Sequence, residues 1–534
     1  MSNRLHFIGA LVASLLLASP GLATQQIQVR LDGLTLPVNL QELEDWSLHP
    51  DRSDGDLKAW LSLLDRQDRQ ALAKILQAPL LREQSFGYQL LNSRTGEQLI
   101  AALDDLITSD SGQSTSPVFL ATLRQMLQQN RPVTAIDLLK NFPLERLTIN
   151  LDGLVALAGQ WRFQLDQQSL ALQRLRQLPL PRRQSLPYGI KAGSQVQPLQ
   201  VELAVVHRST PLPLRIWPAL QSRPGPWILL MPGLGGSGDQ LSWLAQSLAE
   251  RGWPVVLLEH PGSDDRAVED ALLGYIPPPG AEALPQRLAD VQAVLRAQGE
   301  GSLPPLGPEP TGRQGVVLMG HSLGALTALM GSGLVPEAGL GSRCSSAKGD
   351  LPMANLSRLL QCQLPPITGD SAPGPATAAP AAVGEAPVVA VVAFNGFGSL
   401  LWPSGGIGNL TVPVLMVGGS MDLVTPPVQE QLGLFINARH PRSRLVLVEG
   451  GSHFSVVRVA KPEKALFRLG SEWVGSDPLK VQDLMLGVTT EFLQGFEYPF
   501  LLSPQRRVQA GLSAYVLDQN MARRWRGKLQ SWPF

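Results

Sequence analysis

Residues Gly315–Met330 read GVVLMGHSLGALTALM. The apolar run Val316, Val317, Leu318 and Met319 follows a glycine, the pattern of a short buried strand. Gly320-His321-Ser322-Leu323-Gly324 comes next as a turn, and the Ala/Leu/Met segment beyond it has helical preference. A strand, turn and helix in that order hold the serine at an apex. Glycines on either side remove the Cβ atoms that would collide with strand and helix. Ser322 is the candidate nucleophile.

A serine hydroxyl is a poor nucleophile near neutral pH and needs a general base, usually a histidine held by a carboxylate. The strand expected at Val412–Val417 runs into Gly418-Gly419-Ser420-Met421-Asp422, and the one at Leu445–Val448 runs into Glu449-Gly450-Gly451-Ser452-His453-Phe454. Asp422 as acid and His453 as base thus lie beyond the carboxyl ends of strands, where open α/β sheets gather their ligands and catalytic groups. Taken singly, Asp422 is equally a turn aspartate and His453 a loop histidine. The chain order nucleophile, acid, base favours catalysis. Ester hydrolysis also needs two donors for an oxyanion: one is the N–H of Leu323, and the other is expected at Leu234 in the turn Met231-Pro232-Gly233-Leu234-Gly235-Gly236. That turn lacks the lysine and glycine spacing of a nucleotide cradle. Gly235, His260 and His321 are expected to line the site.

Around this core, strands alternate with helices from Leu199 to Pro499. Leu199–Val206 and Leu212–Trp217 read as an antiparallel opening, followed by buried strands at Trp227–Met231, Val255–Leu258, Val316–Met319, Val388–Phe394, Val412–Val417 and Leu445–Val448. Leu284, Leu288, Val291 and Leu295 mark one of the helices between them. This is the pattern of a mostly parallel, doubly wound α/β sheet. An insertion at 336–387 carries both cysteines of the chain and the run SAPGPATAAPAAVGEAP, and is expected to act as a lid. Cys344 and Cys362 read as a disulfide, with two buried free thiols as the alternative.

In front of the sheet, Leu57, Leu61, Leu64, then Leu72, Ile75, Leu76, then Leu99, Leu103, Leu106, then Leu120, Leu123, Leu127 recur at helical steps. They give an all-helical domain at 24–153 and a connector at 154–198. Residues 1–23 join Arg4, the apolar run Phe7–Ala18 and a small-residue end, the three parts of a secretory leader cleaved after Ala23. Export to a periplasmic or extracellular compartment follows. The basic tail at 500–534 reads as a solvated end, with membrane-surface contact as the alternative. With 44 Lys+Arg against 44 Asp+Glu, the chain carries no charge surplus for nucleic acid. No residue cluster has metal-ligand spacing, and no cofactor is implied.

The stretch Leu199–Pro499 resembles the α/β-hydrolase superfamily, and within it the predicted dienelactone-hydrolase and platelet-activating-factor-acetylhydrolase-like branch. PGLGGS, EHPGSD, GHSLGA, GGSMD and GGSHF carry the match. The front resembles the domain of unknown function that precedes this hydrolase in exported bacterial proteins. Three positions depart from relatives. Pro232 stands where many carry His, Ser322 stands where dienelactone hydrolases use Cys, and Asn395-Gly396 occupies an alternative acid position. The resulting expectation is an exported serine hydrolase acting on a small-molecule or lipid ester, lactone or thioester. The rival is a non-catalytic envelope binding protein built on the same fold.

Overall fold

The computed structural model describes residues 26–31, 34–50, 57–58, 61, 69–70, 73, 76–77, 79–81, 106–109, 115–127, 133–142, 146–184, 196–220, 225–273, 275–308, 312–348, 356–364, 387–458, 477–498 and 501–530. The leader at 1–23, the helical steps at Leu64, Leu72, Ile75, Leu99 and Leu103, and 371–386 of the Pro/Ala run lie outside the described residues. Contacts divide the chain into two compact units, Met1–Gly159 with Asp270–Pro278, and Gln160–Glu269 with Pro279–Phe534.

The first unit is not all-helical. Strands β1 (Gln26–Leu31), β2 (Leu34–Asn39), β4 (Ile107–Ser109) and β6 (Arg146–Asn150) form a sheet in the order β2-β1-β6-β4, and β3 (Pro79–Leu81) pairs with β5 (Val133–Thr134). Gln-Ile-Gln-Val-Arg-Leu alternates polar and apolar with the two-residue period of a strand, burying Ile27. Its parallel partner β6 lies far along the chain, pairing Ile27 with Leu147, so local leucine spacing carries no trace of it. Helices do form here. In α1 (Leu40–Leu48) the Asn39 side chain accepts from the amides of Gln41 and Glu42, and α2 (Ser116–Leu127) covers the expected leucine steps. A capping box between Thr134 and Asp137 opens α3 (Ala135–Lys140).

The second unit begins within α4 (Leu151–Arg176) and is built on an eleven-stranded sheet. Its strands are β7 (Arg182–Gln184), β8 (Leu199–Leu203), β9 (Leu212–Trp217), β10 (Pro226–Met231), β11 (Val255–Leu258), β12 (Gly312–His321), β13 (Val388–Phe394), β14 (Val414–Gly419), β15 (Arg444–Val448), β16 (Gln505–Gln509) and β17 (Leu512–Leu517). They lie in the order β7-β16-β17-β15-β14-β13-β12-β10-β11-β9-β8. From β15 across to β11 every pairing is parallel. Such strands are covered on both faces and therefore read as unbroken apolar runs. Leu229, Met231 and Leu318 enter one core cluster while Ile228, Leu230 and Val317 enter the other, one on each side of the sheet. The chain steps from β10 to β11 on one side and then returns to β12 on the other, so β10 and β12 flank a topological switch point.

Two expectations change. The segment after Pro499 is part of the sheet: β16 and β17 form a hairpin through Ala510 (φ 47) and Gly511 (φ 84), and β17 pairs antiparallel with β15. Its alternation was masked because the inward positions are the polar Gln505, Arg507 and Gln509, with Arg507 paired to Glu491. In α12 (Gln519–Gln530), Trp525 is 1% exposed and its indole N–H donates to the Ala171 carbonyl at 2.9 Å.

The described part of the insertion is fastened rather than hinged. Cys344 and Cys362 form a disulfide with Cα atoms 5.6 Å apart, joining α9 (Leu340–Lys348) to the residue after α10 (Leu356–Gln361). Ser357 bonds the buried Glu430, Gln361 accepts from the Leu400 amide at 2.7 Å, and Gln363 accepts from the Ala281 amide at 2.7 Å. These buried polar ties favour a fixed wall over a moving lid.

Trp525→Ala empties a fully packed position and removes a buried donor from its acceptor. It is expected to lower unfolding free energy by about 3–5 kcal/mol in urea titration. An unchanged midpoint would mean that α12 is dispensable to the sheet.

Candidate active site

The turns that carry chemistry all leave the same sheet edge. Met231 of β10 pairs with Gly320 of β12, His321 pairs with Phe394 of β13, Phe394 pairs with Val417 of β14, and Gly419 pairs with Val448 of β15. The loops bearing Leu234, Ser322, Asn395, Asp422 and His453 therefore begin close to one level.

Ser322 takes φ 52 and ψ −118 between β12 and α8 (Leu323–Gly331), a backbone that L-residues avoid at a cost of order 1–3 kcal/mol. The surrounding glycines show why the turn is possible. A Cβ on Gly320 would lie 2.2 Å from the Gly324 carbonyl oxygen, and one on Gly324 would lie 2.3 Å from that of Met231. The Ser322 amide is anchored on the Phe394 carbonyl at 2.9 Å. The same device joins the acid and base loops, because a Cβ on Gly419 would meet the Gly451 carbonyl oxygen at 2.1 Å.

Asp422 is fully buried and its carboxylate faces His453 Nδ1 at 3.1 and 3.2 Å. One oxygen also accepts from the amides of Val424 and Thr425 at 2.9 and 2.8 Å, and the other faces the Asn395 amide group at 2.7 Å and the Thr425 hydroxyl at 2.6 Å. Gln168 of α4 donates to the Asp422 carbonyl at 2.9 Å. Burial alone would raise this carboxyl, but the charge and hydrogen bond of His453, together with Thr425, hold it below the ordinary carboxylate range. An imidazole that donates from Nδ1 to Asp422 keeps Nε2 for another partner.

The other expected residues divide. His321 Nε2 donates to the His453 carbonyl at 2.9 Å and the two rings lie 4.9 Å apart, so His321 braces the base. Burial and then the His453 charge push His321 down to about 3, leaving it neutral. Gly235 (φ 67) donates its N–H to the Ser263 carbonyl at 2.9 Å. Leu234 and Leu323 present amides that have no acceptor among the described residues. His260 is buried, and its described side-chain partner is Asp290, at 2.8 Å from Nδ1. Burial and the charge of Arg287 drive it down to about 4. Among the described residues no group of His, Cys, Asp and Glu is arranged to hold a metal ion.

Sequence reasoning missed Thr425, Arg287 and Asp290, and marked Asn395 only as the residue at an alternative acid position. The spacing of Asp422 and Thr425, three residues apart, is a turn signal that pointed to Thr425. Nothing local marks the others.

A mostly parallel sheet with a strained serine turn and a buried imidazole–carboxylate pair beyond its strand ends is the architecture of the α/β-hydrolase fold. Residues 228–468 match a profile described as the alpha/beta hydrolase family, and residues 23–150 match one described as alpha/beta hydrolase of unknown function (DUF1400). The chain carries alpha/beta hydrolase domains, and hydrolysis is the activity class they indicate. No curated protein matches the chain.

With its folded-state value below the unfolded one, Asp422 contributes stability that is complete above about pH 4 and is lost as pH falls through the folded value. The stability gap between wild type and Asp422→Asn is therefore expected to be level near neutrality and to close on acidification. Denaturant titrations across that range check it, and a gap that widens toward acid would contradict the assignment.

Proposed function

We propose that this protein is an exported serine hydrolase of ester-type bonds. The observation that carries the proposal is His453, tied to the buried Asp422 on one side and braced by the neighbour of Ser322 on the other. In this reaction Ser322 Oγ attacks the acyl carbonyl and His453 Nε2 takes its proton. The amides of Leu234 and Leu323 receive the oxyanion, and the same proton passes to the leaving group as the acyl-enzyme forms. Water, deprotonated by His453, then releases the acid. Asp422 stays ionised throughout and holds the imidazole in the tautomer that leaves Nε2 free.

The acyl donors covered are carboxylic esters, lipid esters, lactones and thioesters, since all react through a tetrahedral intermediate of the same kind. The dienelactone-hydrolase and acetylhydrolase-like branch remains the family resemblance of choice, with Ser322 in place of cysteine as its main departure. The motif at 1–23 supports export. A native N-terminus at Thr24, read by mass spectrometry of the protein recovered from its source cells, is the expected result; Met1 or Ser2 there would refute cleavage.

A fluorophosphonate probe is expected to label Ser322, with labelling lost in Ser322→Ala and strongly slowed in His453→Ala. On p-nitrophenyl esters, Asp422→Asn is expected to lower kcat by about 10,000-fold. An unlabelled Ser322 in folded protein would move the assignment to a non-catalytic binding protein.

A further inference from the structure

The turn after β10 rests on a buried guanidinium. Arg287 of α7 (Leu284–Gly299) donates from Nη1 to the Pro232 carbonyl at 3.1 Å, from Nη2 to the Gly233 carbonyl at 3.0 Å, and from Nε to the Ser263 hydroxyl at 2.9 Å. Arg287 is 1% exposed. We infer that Arg287 is a positioning residue for the oxyanion donor at Leu234, an inference that rests on the serine-hydrolase function proposed above.

The argument is one of peptide geometry. In a trans peptide the carbonyl and the following N–H point to opposite sides of the chain. Fixing the Gly233 carbonyl on Arg287 therefore turns the Leu234 N–H away from the guanidinium. The turn also lies against the nucleophile, since a Cβ on Gly233 would lie 3.1 Å from His321 Nδ1 and 3.2 Å from Ser322 Cβ. The Ser263 carbonyl accepts from the Gly235 amide at 2.9 Å, and the Gly236 amide closes back on the Gly233 carbonyl at 3.3 Å. Ser263 and Arg287 thus grip the turn and leave the Leu234 N–H without an acceptor among the described residues. A carbonyl engaged by a cation also polarises its own peptide, which strengthens the N–H as a donor.

The neighbouring charges fit this role. Asp290, one helical turn on, is occupied by Arg208 through two bonds of 2.6 Å, by His207 at 2.7 Å and by His260 at 2.8 Å. The hydrogen bonds of Arg287 go instead to neutral acceptors, so its charge is not cancelled by direct contact with a carboxylate among the described residues. Burial pulls Arg287 down to about 9 against the opposing effect of Asp290 and Asp264, and it remains cationic near neutral pH. A fixed positive charge behind the donor peptide favours the anionic intermediate over the neutral ester.

The test uses the full chain with p-nitrophenyl acetate as substrate, and compares wild type with Arg287→Lys, Arg287→Met and Ser263→Ala. Arg287→Met is expected to lower kcat by about 100-fold or more with KM changed little. Arg287→Lys keeps the charge without the two-pronged grip and should recover part of that loss. Ser263→Ala removes the hydroxyl that accepts from Arg287 and donates to the His260 carbonyl at 3.3 Å, and should lower kcat several-fold in the same sense. Affinity for a boronic acid that mimics the tetrahedral adduct should fall in parallel with kcat, while fluorophosphonate still reaches one label per chain at Ser322. Unchanged kcat in folded Arg287→Lys and Ser263→Ala, or losses that follow thermal stability and leave boronic acid affinity intact, would overturn the role of Arg287. Should wild type neither turn over the ester nor take label at Ser322, the serine-hydrolase function itself fails, and this inference falls with it.

Discussion

The constraint that fixes the nucleophile helix on the sheet is the contact of one glycine with a neighbouring strand end. Gly324, in the first turn of α8, lies so close under β10 that a Cβ would sit 2.3 Å from the Met231 carbonyl oxygen and 2.5 Å from that of Pro232. Backbone cannot move aside as a flexible side chain can. The contact therefore fixes α8 against β10 at the switch point of the sheet. The two amides that have no acceptor among the described residues lie beside it. Leu323 lies one residue before Gly324, at the start of the helix where N–H groups have no intrahelical acceptor, and Leu234 lies two residues beyond Pro232. A donor pair drawn from opposite sides of a strand crossover keeps its geometry only if the two segments cannot slide. The missing Cβ provides that.

Two buried carboxylates organise the charges around this frame, and they do so differently. Asp422 takes its donors from backbone amides, Asn395, Thr425 and the imidazole, so the only other ionisable group among these partners is His453. Asp290 takes its donors from Arg208 and two histidines. A buried ion is tolerated when its lone pairs are filled, and both sites meet that condition. In the proposed reaction the first arrangement reserves the negative charge for a histidine whose charge changes. In the second, a permanent cation consumes the negative charge, leaving the neighbouring Arg287 to bond the Pro232 and Gly233 carbonyls.

The parts of this molecule that announce themselves in sequence are those held together by local rules. Val255–Leu258 is a strand over the same four residues that periodicity selects, because a strand buried on both faces must be an apolar run and its ends must turn. Ser322, Asp422 and His453 are legible for a related reason, since each follows such a strand through glycines that only close backbone approach requires. In the front sheet, β1 and β2 carry a local signal in their alternation and their two-residue connection, whereas the pairing of β1 with β6, across more than a hundred residues, carries none. Helix α7 shows the limit most sharply. Its periodicity selects Leu284, Leu288, Val291 and Leu295, yet Leu288 is half-buried while Arg287 and Asp290 are buried. A charged residue can occupy an inward position only when distant segments bring its partners, here Pro232, Gly233, Ser263, Arg208 and His260. One helix cannot reveal them.

Asn395 links the placement of the acid to the rest of the edge. The fold offers two neighbouring strand ends, after β13 and after β14, from which a carboxylate can face the base. This chain places Asn395 at the first, in a left-handed backbone (φ 49) that asparagine tolerates better than most residues, and its side-chain amide donates to Asp422 at 2.7 Å. A second carboxylate at that distance would share a proton with Asp422 and raise its pKa, removing the negative charge that keeps the imidazole oriented. An amide of nearly the same shape supplies a donor instead, adding to Thr425 in holding Asp422 ionised. The asparagine at one strand end and the aspartate at the next are thus a single choice of polarity, and neither position can take the other's residue without changing what the histidine meets.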